Sequence, residues 1–432
     1  MVDLSSNFLG IKSPNPFWLA SAPPTDKELN VVRAFEAGWG GVVWKTLGED
    51  PHIVNVNGPR YGAVYSSDRK LMGLNNIELI TDRPLDINLE EIQRVKRNWP
   101  DRAVVVSLMV PCEEANWQNI VKKVEDTGAD GLELNFGCPH GMSERGMGSA
   151  VGQVPEYIEM VAAWCKQHSS LPVIVKLTPN ITDIRFPARA ALAGGADAVS
   201  LINTISSIVS VNLDTMSPEP SIDGWGSHGG YCGPAVKPIA MNMVAEIARD
   251  PETAKLPISA IGGITTWRDA AEFMSLGAAN VQVCTAAMTY GFKIIDELTT
   301  GLANWMSEAG YNTIDDFVGK ATPNVKDWQN LNLNYIAKAK INQDLCISCG
   351  RCHVVCEDTS HQAITSQVNG TRRFEVINKE CVGCNLCVSV CPVDNCITME
   401  QQTSGIDERT GKPITAEYAN WTTHPNNPAS AS

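Results

Sequence analysis

The stretch Gly131-Leu132-Glu133-Leu134-Asn135-Phe136-Gly137-Cys138 is one of eight short runs that decide the fold. Apolar residues fill most of such a run, and polar or small residues gather at its end. The other seven runs span residues 17–22, 41–46, 103–110, 173–178, 198–204, 258–263 and 281–286. Strands that are apolar along their whole length are buried on both faces, which is typical of a parallel sheet covered by helices.

Eight strands that alternate with helical patterns predict an α/β fold, a (β/α)8 TIM barrel, over residues 1–318. A doubly wound sheet is the alternative. Such a sheet usually carries a glycine fingerprint for a dinucleotide, whereas Gly146-x-Gly148-x-x-x-Gly152 has a different spacing and follows no predicted strand. The barrel is therefore the favoured fold, and this glycine cluster is interpreted as a mobile loop.

Polar or small residues stand at the ends of seven of the eight runs. They include Ser21, Lys45, Thr46, Asn135, Cys138, Lys176, Thr178, Asn203, Thr204, Gly262, Gly263, Cys284 and Thr285. A single polar residue at a strand end is usually a turn former. The carboxyl ends of barrel strands share one rim, where barrel enzymes place their chemistry, so the repeated pattern predicts a site there.

Two of these strand-end residues are lysines, Lys45 and Lys176. Half-burying a lysine is unfavourable unless an anionic or electron-rich group meets it. A flavin ring is such a group when it is reduced and carries negative charge near N1. Gly262-Gly263 and Cys284-Thr285, after the last two strands, offer close backbone approach and N–H donors for a phosphate. Together these residues predict an FMN site.

Two cysteine rows follow the barrel: Cys346-x-x-Cys349-x-x-Cys352-x-x-x-Cys356 and Cys381-x-x-Cys384-x-x-Cys387-x-x-x-Cys391-Pro392. This spacing holds two 4Fe–4S clusters, each with three ligands from one row and the fourth from the other. The first cluster would take Cys346, Cys349, Cys352 and Cys391, and the second Cys381, Cys384, Cys387 and Cys356. A zinc ribbon is less favoured, because two ligand pairs leave the third cysteine of each row unused. Cys396 has no role in this pattern.

Composition limits the cellular setting and the partners. Residues 1–6 do not resemble a signal peptide, no apolar run approaches the roughly 18 residues of a membrane span, and thiolate ligands suit a reducing compartment. We therefore expect a cytoplasmic protein without a membrane segment. A formal charge of −14 argues against nucleic-acid binding, which depends on lysine and arginine.

The remaining domain boundaries follow from local composition. Residues 319–340 mix Pro, Asn, Lys and Trp without periodicity, which predicts a linker. Residues 341–400 are the predicted ferredoxin-like domain. Residues 401–432 are rich in Thr, Ser, Asn, Gln and Pro, and we expect this tail to be largely disordered.

Four stretches resemble the dihydropyrimidine dehydrogenases, members of the dihydroorotate dehydrogenase superfamily. They are ASAPPT at 20–25, LNNIELI at 74–80, LELNFGCPHGM at 132–142, and the two-cluster module. The third stretch is the most specific, since its family form ends a strand with the catalytic cysteine and opens a flexible lid. The resemblance covers nearly the whole chain and is closest to the catalytic subunits of two-subunit, NAD-dependent bacterial enzymes.

This resemblance implies a role for individual residues. The pyrimidine would be held by Asn76, Asn135, Asn203 and Thr204, with Glu78 beside it. FMN would be held by Ser21, Lys45, Thr46, Lys176, Gly262, Gly263, Cys284 and Thr285. Family members often carry serine where this chain has Gly137.

Cys138 is the candidate proton donor. Reducing a ring double bond needs a hydride at one carbon and a proton at its neighbour, so an acid must stand opposite flavin N5. A thiol with a pKa near 8.5 is mostly protonated at neutral pH, whereas a carboxylic acid would be ionised. A small buried core residue is the competing interpretation. The glycine-rich segment 139–152, with His140 and Arg145, favours catalysis beneath a lid, although an ordinary solvated loop is possible.

The chain shows no fingerprint for nicotinamide or FAD, so its clusters need another electron source. The resemblance implies a partner flavoprotein subunit that carries FAD, the NADH site and further clusters, in an assembly of two plus two subunits. The predicted activity is that of an oxidoreductase acting on CH–CH groups, which reversibly reduces uracil or thymine in pyrimidine degradation. Two alternatives are a dihydroorotate dehydrogenase with fused clusters and a non-catalytic iron–sulfur electron carrier.

Overall fold

The computed structural model describes residues 2–49, 58–332 and 334–414, which form two compact units divided between Val325 and Lys326. The first unit contains a closed barrel of eight parallel strands. In chain order the strands are Phe17–Leu19, Gly41–Leu47, Ala103–Leu108, Gly131–Asn135, Val173–Lys176, Ala198–Leu201, Ile258–Ile261 and Ala278–Val283. Each of the eight predicted runs contributes one strand, so the predicted barrel is confirmed.

Helices cover the outside of the barrel because each buries one apolar face against the strands. They are Glu28–Ala37, Leu85–Asn98, Glu114–Glu125, Pro155–His168, Arg185–Ala193, Lys237–Arg249, Trp267–Ser275, Thr285–Tyr290 and Ile294–Ala309. Among the described helices, none is long and apolar enough to cross a membrane.

A short hairpin, Ser6–Phe8 and Ile11–Ser13, packs on the interior of the barrel. Phe8 and Ile11 contact Trp18, Val43 and Val105, and the rings of Phe8 and Trp18 meet edge to face at 5.8 Å. These apolar side chains come from the early part of the strands. One end of the barrel is therefore closed by apolar packing, which leaves the carboxyl ends of the strands for a cavity.

An antiparallel sheet of four strands stands beside the carboxyl ends of the barrel strands. Its strands are Tyr61–Tyr65 and Leu71–Asn76, inserted after the second barrel strand, and Ile205–Ser207 and Gly229–Cys232, inserted after the sixth. A smaller hairpin, Ser210–Asn212 and Ser217–Glu219, extends the second insertion. The eight-run pattern did not predict this sheet, which supplies part of the cavity wall.

The second unit is small and contains both cysteine rows. Strand Ala337–Ile341 pairs with Ile397–Gln401, and Ile364–Val368 pairs with Thr371–Val376. The helix Arg351–Glu357 carries Cys352 and Cys356 of the first row, and the helix Leu386–Val390 carries Cys387 of the second. Its buried centre consists mainly of cysteines and a few apolar residues such as Phe374 and Ile397.

Two boundaries differ from the predicted ones. Within the predicted linker, the amides of Gly319 and Ala321 bond to the barrel unit, whereas residues 337–341 form a strand of the second unit. Within the predicted disordered tail, Ile406–Asp407 pairs with Lys412–Pro413. Asp407 also forms a buried ion pair with Lys338 at 3.1 Å, which anchors this segment. The rest of the tail, 415–432, lies outside the described residues.

Candidate active site

A cavity opens at the carboxyl ends of the barrel strands, with a volume of about 1180 Å³ that includes its mouth. It is lined by every predicted FMN, substrate and proton-donor residue and by His140. The residues are Ser21, Lys45, Thr46, Asn76, Glu78, Asn135, Cys138, His140, Lys176, Asn203, Thr204, Gly262, Gly263, Cys284 and Thr285. Arg145 is the exception: it is exposed and does not line the cavity.

Lys45 and Glu78, predicted to serve cofactor and substrate, form an ion pair with each other. Lys45 Nζ lies 2.7 Å from Glu78 Oε1, and Arg60 Nη1 lies 3.3 Å from both oxygens of the same carboxylate. Asp26 Oδ2 lies 3.6 Å from Lys45 Nζ, and burial raises the pKa of Asp26 despite that neighbour. The charge of Lys45 is therefore largely compensated within the protein.

Hydroxyl and carboxamide groups form a connected chain along the cavity wall. Thr46 Oγ1 lies 3.2 Å from Ser21 Oγ and 2.9 Å from Ser107 Oγ, and it accepts a hydrogen bond from Asn135 Nδ2 at 3.0 Å. Asn203 Nδ2 donates in turn to Asn135 Oδ1 at 2.9 Å. Because each amide is held by a neighbour, its orientation is fixed before any ligand binds.

Gly137 makes the position of Asn203 possible. A Cβ atom at residue 137 would lie 2.3 Å from Asn203 Cβ and 2.5 Å from Asn203 Nδ2. Real side chains do not approach so closely, so a serine here would displace the carboxamide. The glycine therefore gives Asn203 room, and the missing hydroxyl is a consequence of that packing.

Cys138 lies in the cavity just after the strand Gly131–Asn135. Its thiol donates to the carbonyl of His140 at 3.4 Å, and burial raises the pKa of Cys138 to about 11. The amide of Ser149 donates to the Cys138 carbonyl at 3.0 Å, which fixes the backbone. At neutral pH the group is therefore a protonated thiol at a fixed position.

His140 is neutral at neutral pH, because burial lowers its pKa. Its Nε2 lies 3.0 Å from the Glu78 carbonyl, which can only accept, so Nε2 carries the proton. Nδ1 is left as a buried acceptor without a hydrogen-bond partner among the described residues. Such an atom is suited to a ligand or a bound water in the cavity.

The predicted lid segment, 139–152, packs closely against the site. It contains a short 3-10 turn, Ser143–Arg145, and a single helical turn, Ser149–Gly152. A Cβ at Gly152 would lie 1.9 Å from the Phe136 carbonyl oxygen, and one at Gly148 would lie 2.8 Å from that of Cys138. At these two positions the glycines permit close packing, which differs from the mobile loop that the glycine cluster predicts.

The Gly262-Gly263 backbone forms a cradle after the seventh barrel strand. Both residues have positive φ, at 137° and 73°. A Cβ at Gly262 would lie 2.7 Å from Ala240 Cβ, and one at Gly263 would lie 2.8 Å from Lys237 Cβ. Bare backbone therefore lines this part of the cavity, which fits the approach of a phosphate.

Lys176 lines the cavity and is buried, with 5% of its surface exposed. Its Nζ is 3.3 Å from Glu133 Oε1. Gln282, also in the cavity wall, has a buried Oε1 without a hydrogen-bond partner among the described residues. A buried ammonium, an unpaired amide oxygen and a bare backbone cradle fit a flavin with a phosphate tail.

Several cavity residues were not singled out from the sequence. Tyr61, Tyr231 and Cys232 come from the inserted sheet, and Gln282 comes from inside the barrel. Burial raises the pKa of Tyr61 and of Cys232, so both stay protonated at neutral pH. The strands at 61–65 and 71–76 show no regular alternation of buried and exposed positions, so no sequence pattern indicated this sheet.

The eight row cysteines line two cavities in the second unit. Cys346, Cys349, Cys352 and Cys391 line one, and Cys356, Cys381, Cys384 and Cys387 line the other. Each set takes three thiols from one row and one from the other, which is the crossed pattern expected for two clusters.

Cys396 lies in the first of these cavities as a fifth thiol. It is buried beside Cys346 and Cys391, and its thiol points to the Asn342 carbonyl at 3.7 Å. The sequence pattern gave this cysteine no role, and the structure gives it a position next to two cluster ligands.

Comparison with known proteins agrees with this geometry. The dihydroorotate dehydrogenase family profile matches residues 3–306, and a 4Fe–4S dicluster domain matches residues 339–399. The chain belongs to the dihydroorotate dehydrogenase family. Solved dihydroorotate dehydrogenases of Eimeria tenella share the fold, with a TM-score of 0.60 at 21% identity over 73% of this chain and 88% of theirs for the ferulenol complex.

Relatives within the family indicate the type of enzyme. The chain is 41% identical, over 92% of its length and 95% of theirs, to the NAD-dependent dihydropyrimidine dehydrogenase subunit PreA of Escherichia coli K12. It is 41% identical to the chloroplastic dihydropyrimidine dehydrogenase (NADP(+)) of Arabidopsis thaliana over 73% of its length and 76% of theirs. The chain is 36% identical to the dihydroorotate dehydrogenase B catalytic subunit of Pyrococcus abyssi, over 74% of its own length and 99% of that subunit's. The chain is an oxidoreductase of the dihydropyrimidine dehydrogenase type.

Proposed function

We propose that this chain reduces uracil and thymine to the 5,6-dihydro bases, reversibly, with electrons that originate in NADH. The observation that carries the proposal is the protonated Cys138 thiol, fixed in a cavity whose walls combine carboxamides with a bare backbone cradle. A neutral acid beside neutral hydrogen-bonding groups suits proton transfer to an uncharged base.

The carboxamides would recognise the base. A pyrimidine edge alternates carbonyl oxygens with N–H groups, and a carboxamide offers one acceptor and two donors. Asn76, Asn135 and Asn203 line the cavity, and Asn76 Nδ2 is already held by the Gly230 carbonyl at 2.8 Å. Amides that are fixed in advance lose little entropy when they bind the ring.

Cys138 would hold the proton at Sγ and give it to the ring carbon next to the one that receives the hydride. Burial keeps this proton on the thiol until a basic carbon is close. In the reverse direction the thiolate would take the proton back. Met109, Met142 and Met147 pack around the thiol and exclude water from it.

The cofactor would lie between the two lysines and the cradle. Lys176 would face the flavin ring, Gly262 and Gly263 would face the phosphate, and Ser21, Thr46, Cys284 and Thr285 would line the space between. FMN supplies the hydride when bound. The eight row cysteines would hold two 4Fe–4S clusters, which serve single-electron transfer.

A separate flavoprotein subunit with FAD and an NADH site would supply the electrons, in an assembly of two copies of each chain. Two observations support this: the E. coli relative is named as a subunit, and this sequence has no dinucleotide fingerprint.

A dihydroorotate substrate is the second candidate, favoured by the family profile itself. Its carboxylate needs a cation that no other anion occupies. Of the lysines in the cavity wall, Lys45 is paired with Glu78 and Lys176 with Glu133. The neutral base therefore fits the cavity better.

The test is reduction of candidate substrates by the purified chain with a reduced viologen dye as electron donor. We expect stoichiometric FMN and consumption of uracil and thymine but not of orotate. Consumption of orotate alone would mean that the chain acts as a dihydroorotate dehydrogenase, the second candidate. A chain without FMN and without either activity would be an electron carrier, and the proposal would be wrong.

A further inference from the structure

A fully buried carboxylate lies inside the barrel, below the cavity. Glu133 is 0% exposed on the strand Gly131–Asn135. Its Oε2 accepts hydrogen bonds from Ser200 Oγ at 2.8 Å and from Gln282 Nε2 at 3.1 Å. Its Oε1 has no hydrogen-bond partner among the described residues but lies 3.3 Å from Lys176 Nζ. Glu133 is therefore held by one oxygen and faces the lysine with the other.

The hydrogen-bond donors to Glu133 belong to strands on different sides of the barrel. Ser200 belongs to the sixth barrel strand and Gln282 to the eighth, which is not adjacent to the strand of Glu133. The Gln282 carboxamide also donates to Ser259 Oγ at 3.0 Å. This network crosses the barrel interior, so it fixes both the orientation of the Glu133 carboxylate and its position inside the barrel.

Burying a charged pair needs a reason, because apolar residues of similar volume would fill the same layer with less desolvation. Lys176 lines the cavity, and Glu133 is the one acidic group within 4 Å of its Nζ in the described part of the chain. Lys45 differs, since its partner Glu78 also contacts Arg60. Among the described residues Glu133 thus has one cationic partner, and that partner lines the cavity.

We propose that Glu133 is a positioning residue, which holds Lys176 Nζ at the cavity wall and compensates part of its charge. This rests on the proposed function, in which FMN occupies the cavity. A cation near the ring favours the added negative charge of reduced flavin, and a fixed anion behind that cation weakens the effect. Glu133 would therefore lower the reduction potential of the bound FMN.

Glu133→Gln tests this, because glutamine has nearly the same shape without the charge. The midpoint potential of bound FMN is measured by equilibration with a reference dye, with the flavin absorbance followed separately from the clusters. We expect a shift to more positive potential, equal to about a tenfold or larger rise in the ratio of reduced to oxidised FMN at fixed dye potential. An unchanged potential overturns the proposal.

Lys176→Gln completes a double-mutant cycle. If Glu133 acts through Lys176, the shift caused by Glu133→Gln should disappear in the Lys176→Gln background. A shift of equal size in both backgrounds would mean that Glu133 acts directly on the flavin, and the positioning role would be wrong. If Glu133→Gln alone fails to fold, Glu133→Asp keeps the charge but draws it back from Lys176 Nζ. This variant should shift the potential in the same direction by a smaller amount, and an unchanged potential would overturn the proposal.

Ser259→Ala is the matched control, since it removes one hydrogen bond from the same buried layer without changing charge. It should leave the potential unchanged, and a shift as large as that of Glu133→Gln would contradict an electrostatic role. The proposed function and the role of Glu133 are tested by different results. A wild-type chain without FMN defeats the proposed function, whereas wild-type FMN with an unaltered Glu133→Gln potential defeats only the inference.

Discussion

At the scale of single residues, the strongest prediction concerns Cys138. Cys138→Ala removes the one proposed proton donor, whereas the carboxamides, the glycine cradle and the cluster cysteines stay in place. We expect turnover with uracil to fall by about 10²- to 10⁴-fold, the usual size of general acid catalysis. Steady-state rates with dye as donor measure this, together with FMN and iron content. Rates within twofold of wild type at normal cofactor content would contradict the role.

The protonation of Cys138 also predicts a pH dependence. Its pKa is raised to about 11 by burial, so the thiol persists through the neutral and moderately basic range. Base reduction needs the thiol and should stay constant as pH rises to about 9, then fall as pH passes through that pKa. Oxidation of the dihydro base needs the thiolate and should speed up over the same range. A reduction rate that falls near the ordinary thiol pKa would contradict this assignment.

Gly137 predicts a change in substrate binding without a change in cofactor binding. Gly137→Ser would push Asn203 from its hydrogen bond to Asn135, because there is no room for a Cβ. We expect KM for uracil to rise by about tenfold, the value of roughly one lost hydrogen bond. Steady-state kinetics measure KM, and FMN content serves as the control. A KM equal to that of wild type would mean that Asn203 does not contact the base.

At the scale of elements, the loop after the seventh barrel strand is predicted to carry the phosphate. Gly263→Ala would strain a backbone with φ of 73° and place a Cβ 2.8 Å from Lys237 Cβ. We expect FMN affinity, measured by fluorescence titration of the flavin-free protein, to fall by about tenfold or more.

Gly310→Ala is the matched control for that variant. Gly310 has φ of 77° at the end of the helix Ile294–Ala309, and a Cβ there meets nothing within 4 Å. It carries the same backbone strain, about 1–2 kcal/mol, without the close approach. Its thermal stability should fall while FMN affinity stays unchanged. Equal losses of FMN affinity in both variants would mean that the Gly262-Gly263 cradle does not bind the phosphate.

The same scale shows how far the sequence could predict the structure. The barrel strands were predictable because both faces are buried, as in Gly41–Leu47, which is buried throughout. The inserted sheet was not, because strands such as Leu71–Asn76 mix buried and partly exposed positions without a regular period. Tyr61 and Cys232 reach the cavity only through that sheet, so no local pattern marked them.

In the candidate site, too, some features could be predicted from the sequence and others could not. Residues at strand ends, such as Asn135 and Lys176, were predictable because the barrel brings those ends to one rim. Pairings between them were not, since Lys45 meets Glu78 and Lys176 meets Glu133 through the three-dimensional arrangement alone. Gly152 was interpreted as flexible because composition does not distinguish a mobile glycine from one that a neighbouring carbonyl requires.

At the scale of the whole molecule, we expect NADH-dependent activity to require a partner subunit. The purified chain should reduce uracil with a reduced dye but not with NADH, because no dinucleotide fingerprint occurs in its sequence. Adding a flavoprotein subunit of the kind proposed should restore NADH-dependent turnover. NADH oxidation by the chain alone, at a rate similar to that with dye, would contradict this division of labour.

We propose that a pyrimidine base, FMN and Cys138 meet in one cavity, and a single-turnover experiment without any partner examines this meeting. The chain, with FMN and clusters intact, is mixed anaerobically with 5,6-dihydrouracil, and the flavin absorbance near 450 nm is followed. We expect rapid bleaching for the wild type, bleaching about 10²-fold slower or more for Cys138→Ala, and none with dihydroorotate. Equal bleaching in wild type and Cys138→Ala, or bleaching by dihydroorotate alone, would contradict it.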